Sequence, residues 1–216
     1  MGTIAVVDYG MGNLRSVAKA LEHVAPASVR VRVTDRPEDV ARAERVVFPG
    51  QGAARDCMRA IDDHGLREPI LEAARTRPFL GMCMGLQVLL AYSEENEGTE
   101  CLGVFPGTVR FFGSDLRDAA GARLKIPHMG WTAVDHARAH PLWEGIADGT
   151  RFYFVHSYYA DPDDGNLVAG TTEYGRTFCS ALAHGNLFAC QFHPEKSSHD
   201  GLRLLRNFVA WDGSDR

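Results

Sequence analysis

The segment IAVVDYGMGNLRSVAKALEHV, residues 4–24, decides the fold of this chain. Its first four residues form a continuous apolar run that ends in a glycine-rich turn, which is typical of a strand buried on both faces of a parallel sheet. After Asn13 the apolar residues recur every three or four positions, which predicts an amphipathic helix with Asn13 at its N-cap. A buried strand followed directly by such a helix indicates an α/β protein.

The same alternation continues along the first 92 residues. Valines at 29, 31 and 33 alternate with arginines, which predicts a strand with one polar face near a sheet edge. Further strands are predicted at 45–48 and 78–81, and helices at 53–62, 66–76 and 85–92. Short crossovers of this kind favour a doubly wound, mostly parallel central sheet with helices on both faces.

The second half of the chain has a different pattern. Six strand-like segments, broken by Gly, Pro, Asp and Asn, follow one another without intervening helices, which predicts antiparallel strands added to the sheet. They cover residues 104–112, 123–135, 151–160, 167–174, 177–184 and 187–193. A last helix carries Leu202, Leu205, Phe208 and Val209. The sequence contains no repeat or linker, so we expect one domain over residues 1–216.

The composition excludes several classes of function. Apolar residues make up 45% and charged residues 24% of the 216 residues, as in ordinary globular proteins rather than disordered or collagenous chains. The net charge of −5 gives no basic footprint for nucleic acid or an anionic membrane. Five scattered cysteines make a poor disulfide framework. Because there is neither a signal-like N-terminus nor an apolar stretch of roughly 20 residues, we expect a cytoplasmic protein.

The strongest chemical signal is Gly81-Met82-Cys83-Met84-Gly85, where a predicted buried strand turns into a helix. A nucleophile on such a tight turn needs small neighbours, and glycine supplies them on both sides. The unpaired N–H groups at the start of the following helix favour a thiolate. The Met84 amide would face an oxyanion formed by attack of Cys83. The alternative is a buried structural cysteine in a glycine-rich turn.

A base for this cysteine is available in Gln191-Phe192-His193-Pro194-Glu195, at the end of an apolar strand. Residues two apart in an extended chain project to the same side, so His193 and Glu195 can face a common site. An imidazole can take the thiol proton and return it to a leaving amine, while a carboxylate fixes its tautomer. A His-Pro-Glu motif is a weak signal alone, and it gains weight from the cysteine elbow elsewhere in the chain.

A third motif, Pro49-Gly50-Gln51-Gly52, follows the predicted strand at 45–48. Ligands of doubly wound sheets bind outside the carboxyl ends of the strands. The loop could therefore offer a second backbone donor to an oxyanion, or it could be a simple strand-to-helix turn.

Other chemistries have little support in the sequence. A zinc site of Cys83, His193 and Glu195 is disfavoured because structural zinc takes four ligands with close pairs. The chain has neither a complete dinucleotide fingerprint nor a P-loop. We therefore expect no metal and no cofactor.

Together, the three motifs resemble those of the triad-type, class I glutamine amidotransferases. Within that family the chain is similar to the subunits that supply ammonia to a (β/α)8 cyclase of histidine biosynthesis. This narrower similarity rests on DYGMGNLRSV at 8–17, PHMGW at 127–131 and YFVHSYY at 153–159. The likeness runs from residue 4 to about residue 210.

The resemblance implies hydrolysis of L-glutamine to L-glutamate and ammonia. Cys83 would attack the side-chain amide carbon and form a thioester, His193 would carry the proton, and Glu195 would orient His193. The implied partner is the (β/α)8 cyclase, joined in a heterodimer through which ammonia is channelled. The implied oxyanion-hole residues are Gly50, Gln51, Gly52 and Met84, and the implied substrate-binding residues are Gln87, Glu95, His156, Ser157 and Tyr158.

Two other functions are compatible with the sequence. The chain could serve another ammonia-using synthase, such as that for anthranilate, CTP or pyridoxal phosphate, or it could be a non-catalytic binding protein on the same fold. Two residues also depart from the family pattern. Thr132 stands where Asn is expected after PHMGW, and Gln51 is longer than the small residue expected between the loop glycines.

Overall fold

Strands and helices alternate in the first half of the chain, and strands dominate the second half. The computed structural model describes residues 2–214. Its strands are β1 (Gly2–Val7), β2 (Val29–Thr34), β3 (Arg45–Gly50), β4 (Phe79–Cys83), β5 (Leu90–Ser93), β6 (Thr99–Glu100), β7 (Phe105–Phe111), β8 (His128–His136), β9 (Thr150–His156), β10 (Tyr158–Pro162), β11 (Val168–Glu173), β12 (Thr177–His184) and β13 (Leu187–Cys190). Its α-helices are α1 (Leu14–Val24), α2 (Pro37–Arg42), α3 (Ala54–Asp63), α4 (Arg67–Thr76), α5 (Met84–Gln87) and α6 (Ser198–Ala210).

The strands form one mixed sheet. Its order is β2-β1-β3-β4-β13-β12-β10-β7-β5-β6, and β11 leads from β12 to a branch of β8 and β9. The pairs from β2 to β13 are all parallel, and antiparallel pairing begins between β13 and β12. The predicted fold class, a mostly parallel central sheet with antiparallel additions, is confirmed, and β2 is the edge strand that its polar face indicates.

Helices cover both faces of the parallel strands. In β1, Ile4 and Val6 pack into a core that contains residues of α1 and α6, whereas Ala5 and Val7 pack into a second core with residues of α3 and α4. Each large aliphatic side chain that is fully buried in this way contributes about 1.5–3 kcal/mol to the free energy of unfolding. The continuous apolar run of residues 4–7 is thus explained by burial on both sides. No helix within residues 2–214 is both long and apolar enough to cross a bilayer.

Some predicted elements differ in the structure. The helix predicted at 85–92 is wrong beyond Gln87, because the chain returns to the sheet as β5. Val88 and Leu89 are buried completely, and their carbonyls accept hydrogen bonds from the segment that leads into β7. Their apolar spacing therefore reflects burial on all sides and not one face of a helix. The strand predicted at 123–135 begins only at His128, and the one at 151–160 is broken at Ser157.

Two features at the starts of helices also differ from the sequence prediction. Asn13 occupies the N-cap position of α1, but its side chain makes no capping hydrogen bond. The short helix α2 was not predicted, although Pro37 at its start and acidic residues in its first turn are the usual signals of a helix N-terminus.

Candidate active site

Cys83 ends β4 in a strained backbone conformation. Its φ of 54° and ψ of −111° lie where residues other than glycine rarely occur. Both flanking glycines are required, because a Cβ on Gly81 would lie 2.8 Å from the Gly85 carbonyl oxygen, and a Cβ on Gly85 would lie 1.9 Å from the Phe48 carbonyl oxygen. The chain thus makes the tight strand-to-helix turn that a nucleophile elbow needs.

His193 and Glu195 follow β13, the strand that lies parallel to β4 with Cys190 opposite Met82. His193 Nδ1 lies 3.0 Å from Glu195 Oε1, and the two side chains are only 4% and 1% exposed. The His193 backbone is held at both ends, since its N–H donates to the β9 backbone at 2.9 Å and its carbonyl accepts from Ser197 Oγ at 2.7 Å. These contacts fix the position of the imidazole.

The surroundings of His193 favour its protonated form. Burial alone lowers the pKa of this imidazole, but the proximity of the Cys83 sulfur and the contact with Glu195 outweigh burial and raise the pKa to about 10, although His193 Nε2 itself makes no hydrogen bond among the described residues. An imidazolium can therefore persist beside the cysteine at neutral pH. A thiolate next to an imidazolium is the reactive state of a cysteine nucleophile.

Two buried glutamines extend from the sulfur. Gln191 Nε2 lies 3.8 Å from Cys83 Sγ, and Gln191 Oε1 accepts a hydrogen bond from Gln87 Nε2 at 3.0 Å. Gln87 Nε2 also donates to the Tyr158 carbonyl at 3.0 Å, while Gln87 Oε1 is buried without a partner among the described residues. The sequence prediction gave no role to Gln191, although it lies two positions before His193 in the same motif.

One cavity of about 480 Å³ gathers most of the predicted site residues. Those that line it are Gln51, Gly52, Cys83, Met84, Gln87, Glu95, His156, Ser157, Tyr158 and His193. Gly50 and Glu195 instead line a smaller crevice that also reaches His193. Pro127, Val155 and Lys196 complete the cavity wall and were not predicted; Lys196 directly follows the His-Pro-Glu motif.

The loop after β3 packs against the elbow. Gly50 pairs with Cys83 across the two strands, and a Cβ on Gly50 would lie 2.2 Å from the Tyr9 hydroxyl and 2.8 Å from Met84 Cβ. Glycine is therefore required for this close approach. The loop and the start of α5 meet at the cysteine, which is the arrangement that two backbone donors of an oxyanion hole require.

Glu95, one of the predicted substrate-binding residues, also has a structural contact. Its Oε2 accepts a hydrogen bond at 2.7 Å from the N–H of Ala54, at the start of α3. A carboxylate at a helix N-terminus is favoured by the helix dipole. Glu95 therefore joins the cavity wall to the helix that follows the loop after β3.

His156 belongs to a buried chain of hydrogen bonds. Its Nδ1 donates to the Tyr158 carbonyl at 2.8 Å, and its Nε2 accepts from His128 Nδ1 at 2.9 Å. His128 Nε2 in turn accepts from Thr132 Oγ1 at 2.8 Å; these proton positions follow because a carbonyl can only accept. Burial lowers the pKa of His156 to about 3, so a neutral His156 supports the cavity wall. Thr132, which departs from the expected family pattern, is the last residue in this series of hydrogen bonds.

No group of three or more His, Cys, Asp or Glu side chains in the described range of residues 2–214 is arranged to hold a metal ion.

The fold and the cavity together define a class: a doubly wound α/β protein with an elbow cysteine and a buried His–Glu pair beside one cavity. The family model described as glutamine amidotransferase class-I matches residues 5–211. This chain belongs to the class-I glutamine amidotransferase family, and the family inferred from the three motifs is confirmed.

Two relatives of high sequence identity are both named as subunit HisH of imidazole glycerol phosphate synthase. The chain is 60% identical over 210 residues to imidazole glycerol phosphate synthase subunit HisH of Thiobacillus denitrificans, covering 97% of this chain and 91% of that protein. It is 57% identical over 213 residues to subunit HisH 1 of Pseudomonas aeruginosa, covering 99% of each. The glutaminase domain of Trypanosoma brucei CTPS, solved with bound acivicin, shares the fold with a TM-score of 0.64 at 18% identity, over 100% of this chain and 97% of that one.

Proposed function

We propose that this chain is the glutaminase subunit of an imidazole glycerol phosphate synthase in the cytoplasm. It hydrolyses L-glutamine, and the ammonia passes to a (β/α)8 cyclase that makes imidazole glycerol phosphate and AICAR in histidine biosynthesis. One observation carries the proposed chemistry: a strained elbow cysteine beside a histidine whose pKa is raised, at the wall of one cavity. The HisH relatives favour this synthase over those for anthranilate, CTP or pyridoxal phosphate.

The proposed reaction has two halves that use the same groups. The Cys83 thiolate attacks the amide carbon of glutamine, and the amides of Met84 and the loop of residues 50–52 stabilise the oxyanion. The His193 imidazolium gives its proton to the leaving nitrogen, so that ammonia departs and a thioester remains. His193 then takes a proton from water as the water attacks the thioester, and collapse of the tetrahedral intermediate expels the Cys83 thiolate, so that glutamate leaves and the thiolate–imidazolium pair is restored. Glu195 holds the imidazole in place and supports its charge.

We assign substrate binding to the part of the cavity wall that contains Gln87. Gln87 Oε1 is a buried acceptor without a protein partner among the described residues, and leaving such an acceptor unpaired costs about 1–3 kcal/mol. Gln87 lines the cavity, and we propose that its side-chain amide contacts the bound glutamine. Glu95, Ser157 and Tyr158 line the same wall and are the other proposed contacts.

A surface beside the cavity suits a partner subunit. Met129 and Trp131 lie two positions apart on β8, so they share one face of the strand, and they are 61% and 46% exposed. Adjacent exposed apolar side chains that form a patch are a mark of interaction sites. Met129 is paired with Val155, which lines the cavity. A cyclase bound on this surface would lie next to the point of ammonia release, and we propose that the two subunits form a heterodimer there.

The experiment measures glutamate release with and without a cyclase partner and its nucleotide substrate. We expect weak activity of the chain alone, activation by the partner, and complete loss in Cys83→Ala. Cys101→Ala is the matched control, because Cys101 is also buried but lies outside the cavity wall. Activity that survives Cys83→Ala would refute the mechanism. A Cys83 that resists a glutamine-like alkylating agent in the complex would instead favour a non-catalytic binding protein.

A further inference from the structure

The carbonyl of Tyr158 is held at the cavity wall by a buried pair of imidazoles. His128 on β8 and His156 on β9 are paired across the two strands, and they are only 1% and 6% exposed. The ring of His128 packs nearly parallel to those of Phe154 and Tyr174, with ring centroids 4.9 and 3.9 Å away. Packing thus fixes the plane of the His128 ring.

Both imidazoles are neutral, and all four of their nitrogens have partners. Burial lowers the pKa of His128 to about 4 and that of His156 to about 3. His156 Nδ1 donates to the Tyr158 carbonyl, so its Nε2 accepts from His128 Nδ1. His128 Nε2 accepts from the Thr132 hydroxyl. Although His156 lines the cavity, its ring therefore has no donor or acceptor left for a substrate.

The same Tyr158 carbonyl orients a side-chain amide of the cavity wall. It accepts a second hydrogen bond, from Gln87 Nε2 at 3.0 Å. Gln87 Nε2 also donates to Gln191 Oε1 at 3.0 Å. Because both N–H groups of Gln87 have acceptors, its amide has one orientation, with Oε1 as the acceptor left without a partner in the described part of the chain. Displacement of the Tyr158 carbonyl would remove one of the two contacts that fix this orientation.

We propose that His128 and His156 are positioning residues, which hold the Tyr158 carbonyl and thereby orient Gln87 for contact with the bound glutamine. The inference rests on the proposed function and deepens it, because it adds residues that act on binding without a hydrogen bond to the substrate. His128 supplies the donor that keeps the His156 ring in place. Without that donor, His156 Nε2 is a buried acceptor with no partner, which is unfavourable. The ring is then free to turn, and the Tyr158 carbonyl loses a donor.

The test separates the donor of His128 from its packing. His128→Phe keeps an aromatic ring against Phe154 and Tyr174 but removes the donor. His128→Asn loses the aromatic packing but keeps an amide N–H at the same number of bonds from the backbone as Nδ1. A positioning role and a purely structural role therefore predict opposite orders for these two variants.

Two further variants complete the set. Thr132→Val removes only the hydroxyl at the outer end of the series. Thr172→Val is the matched control, because the Thr172 hydroxyl is also buried and donates to a β8 carbonyl, that of Ala133, at 3.0 Å. The kcat, the KM for glutamine and the rate of alkylation of Cys83 by iodoacetamide are measured for each complex with the cyclase. Urea unfolding of each chain measures its stability separately.

We expect KM to rise roughly tenfold in His128→Phe, which corresponds to about 1.4 kcal/mol, or one net hydrogen bond. His128→Asn should recover most of the wild-type KM, although it should be less stable than His128→Phe because it leaves a cavity. KM should rise only about threefold in Thr132→Val, since the donor to His156 remains. The kcat and the alkylation rate should stay within about twofold, as for a loss of binding alone, and Thr172→Val should keep the wild-type KM.

The tautomers give a readout that does not depend on turnover. Nitrogen NMR of the isotopically labelled chain distinguishes protonated from unprotonated imidazole nitrogens. We expect both His128 and His156 to carry the proton on Nδ1, and the signals of His128 are assigned by their loss in His128→Asn.

Other results would overturn the proposal. A proton on Nε2 of either His128 or His156 would contradict the series of hydrogen bonds. An unchanged KM in both His128→Phe and Thr132→Val, or changes in KM that follow the stability of the variants, would show that the pair only supports the fold. A wild-type complex that releases no glutamate would refute the proposed function itself, and the positioning role would fall with it whatever the tautomers are.

Discussion

Replacing Glu195 by glutamine keeps the shape of the side chain but removes the charge beside His193. The two groups are 3.0 Å apart and both side chains are almost fully buried, so solvent and salt screen them little. An opposite charge this close shifts a pKa by about one to three units. Because the pKa of His193 is raised to about 10, we expect it to fall to roughly 7–9 in Glu195→Gln.

The sign of the pH dependence follows from this shift. A group with a raised pKa keeps its proton below that pKa and loses it as the pH rises through it. Since the proposed mechanism gives the imidazolium proton to the leaving nitrogen, the wild-type kcat/KM, which reports ionisations of the free enzyme, should decline as the pH rises through about 10. In Glu195→Gln the decline should begin about one to three pH units lower.

The assay is the pH profile of kcat/KM for glutamate release by the complex with the cyclase, from about pH 6 to about pH 10.5. Glu72→Gln is the control, because it makes the same change in net charge on the exposed face of α4. An alkaline limb that stays near pH 10 in Glu195→Gln would refute the assigned role of Glu195. The same displacement in Glu72→Gln would show that net charge alone causes it.

Three further predictions concern the elbow, the buried histidines and the proposed docking surface. Gly85→Ala places a Cβ 1.9 Å from a backbone carbonyl of β3, so its free energy of unfolding should fall by at least the roughly 1–3 kcal/mol typical of overpacking, and its Tm and kcat should fall with it. Gly165→Ala, where a Cβ meets nothing within 4 Å, should change neither. An unaltered Tm and kcat in Gly85→Ala would contradict the steric argument. Burial lowers the pKa of His128 to about 4 and that of His156 to about 3. Because the unfolded chain therefore binds more protons than the folded one, the free energy of unfolding should decrease as the pH falls from about 6.5 to about 4. Urea unfolding at several pH values measures this decrease, and an equally steep decrease in a His128→Phe variant would contradict the prediction. Trp131→Ala should weaken cyclase binding in calorimetry and leave partner-free glutamate release unchanged, whereas unchanged affinity would place the partner elsewhere.

The parallel half of the fold could be predicted because each strand carries its own signal. The run at 4–7 is apolar throughout, since β1 packs against helices on both faces. The segment after Cys83 could not be predicted in the same way. Leu86, Leu89 and Leu90 have helical spacing, but α5 ends after one turn and all three are buried. Local periodicity cannot distinguish a helix face from a segment surrounded by other elements.

The proposed catalytic residues could be predicted from the sequence, whereas the residues that contact and position them could not. Cys83, His193 and Glu195 lie in short motifs with a stated mechanism, and the structure brings these residues together. Gln191 and Tyr9 carry no such signal, because their contacts join positions that are 108 and 40 residues apart in the chain. Only the sheet order, with β1, β3, β4 and β13 side by side, shows that these side chains meet at one edge.

The central claim is that Cys83 forms the thioester from which ammonia is released. It is tested most directly by mixing the complex with glutamine, quenching in acid during turnover and measuring the mass of the peptide that contains Cys83. We predict a glutamyl adduct on Cys83 that appears before glutamate accumulates and is absent from Cys83→Ala. Glutamate release at the wild-type rate without any adduct on Cys83 would contradict the account.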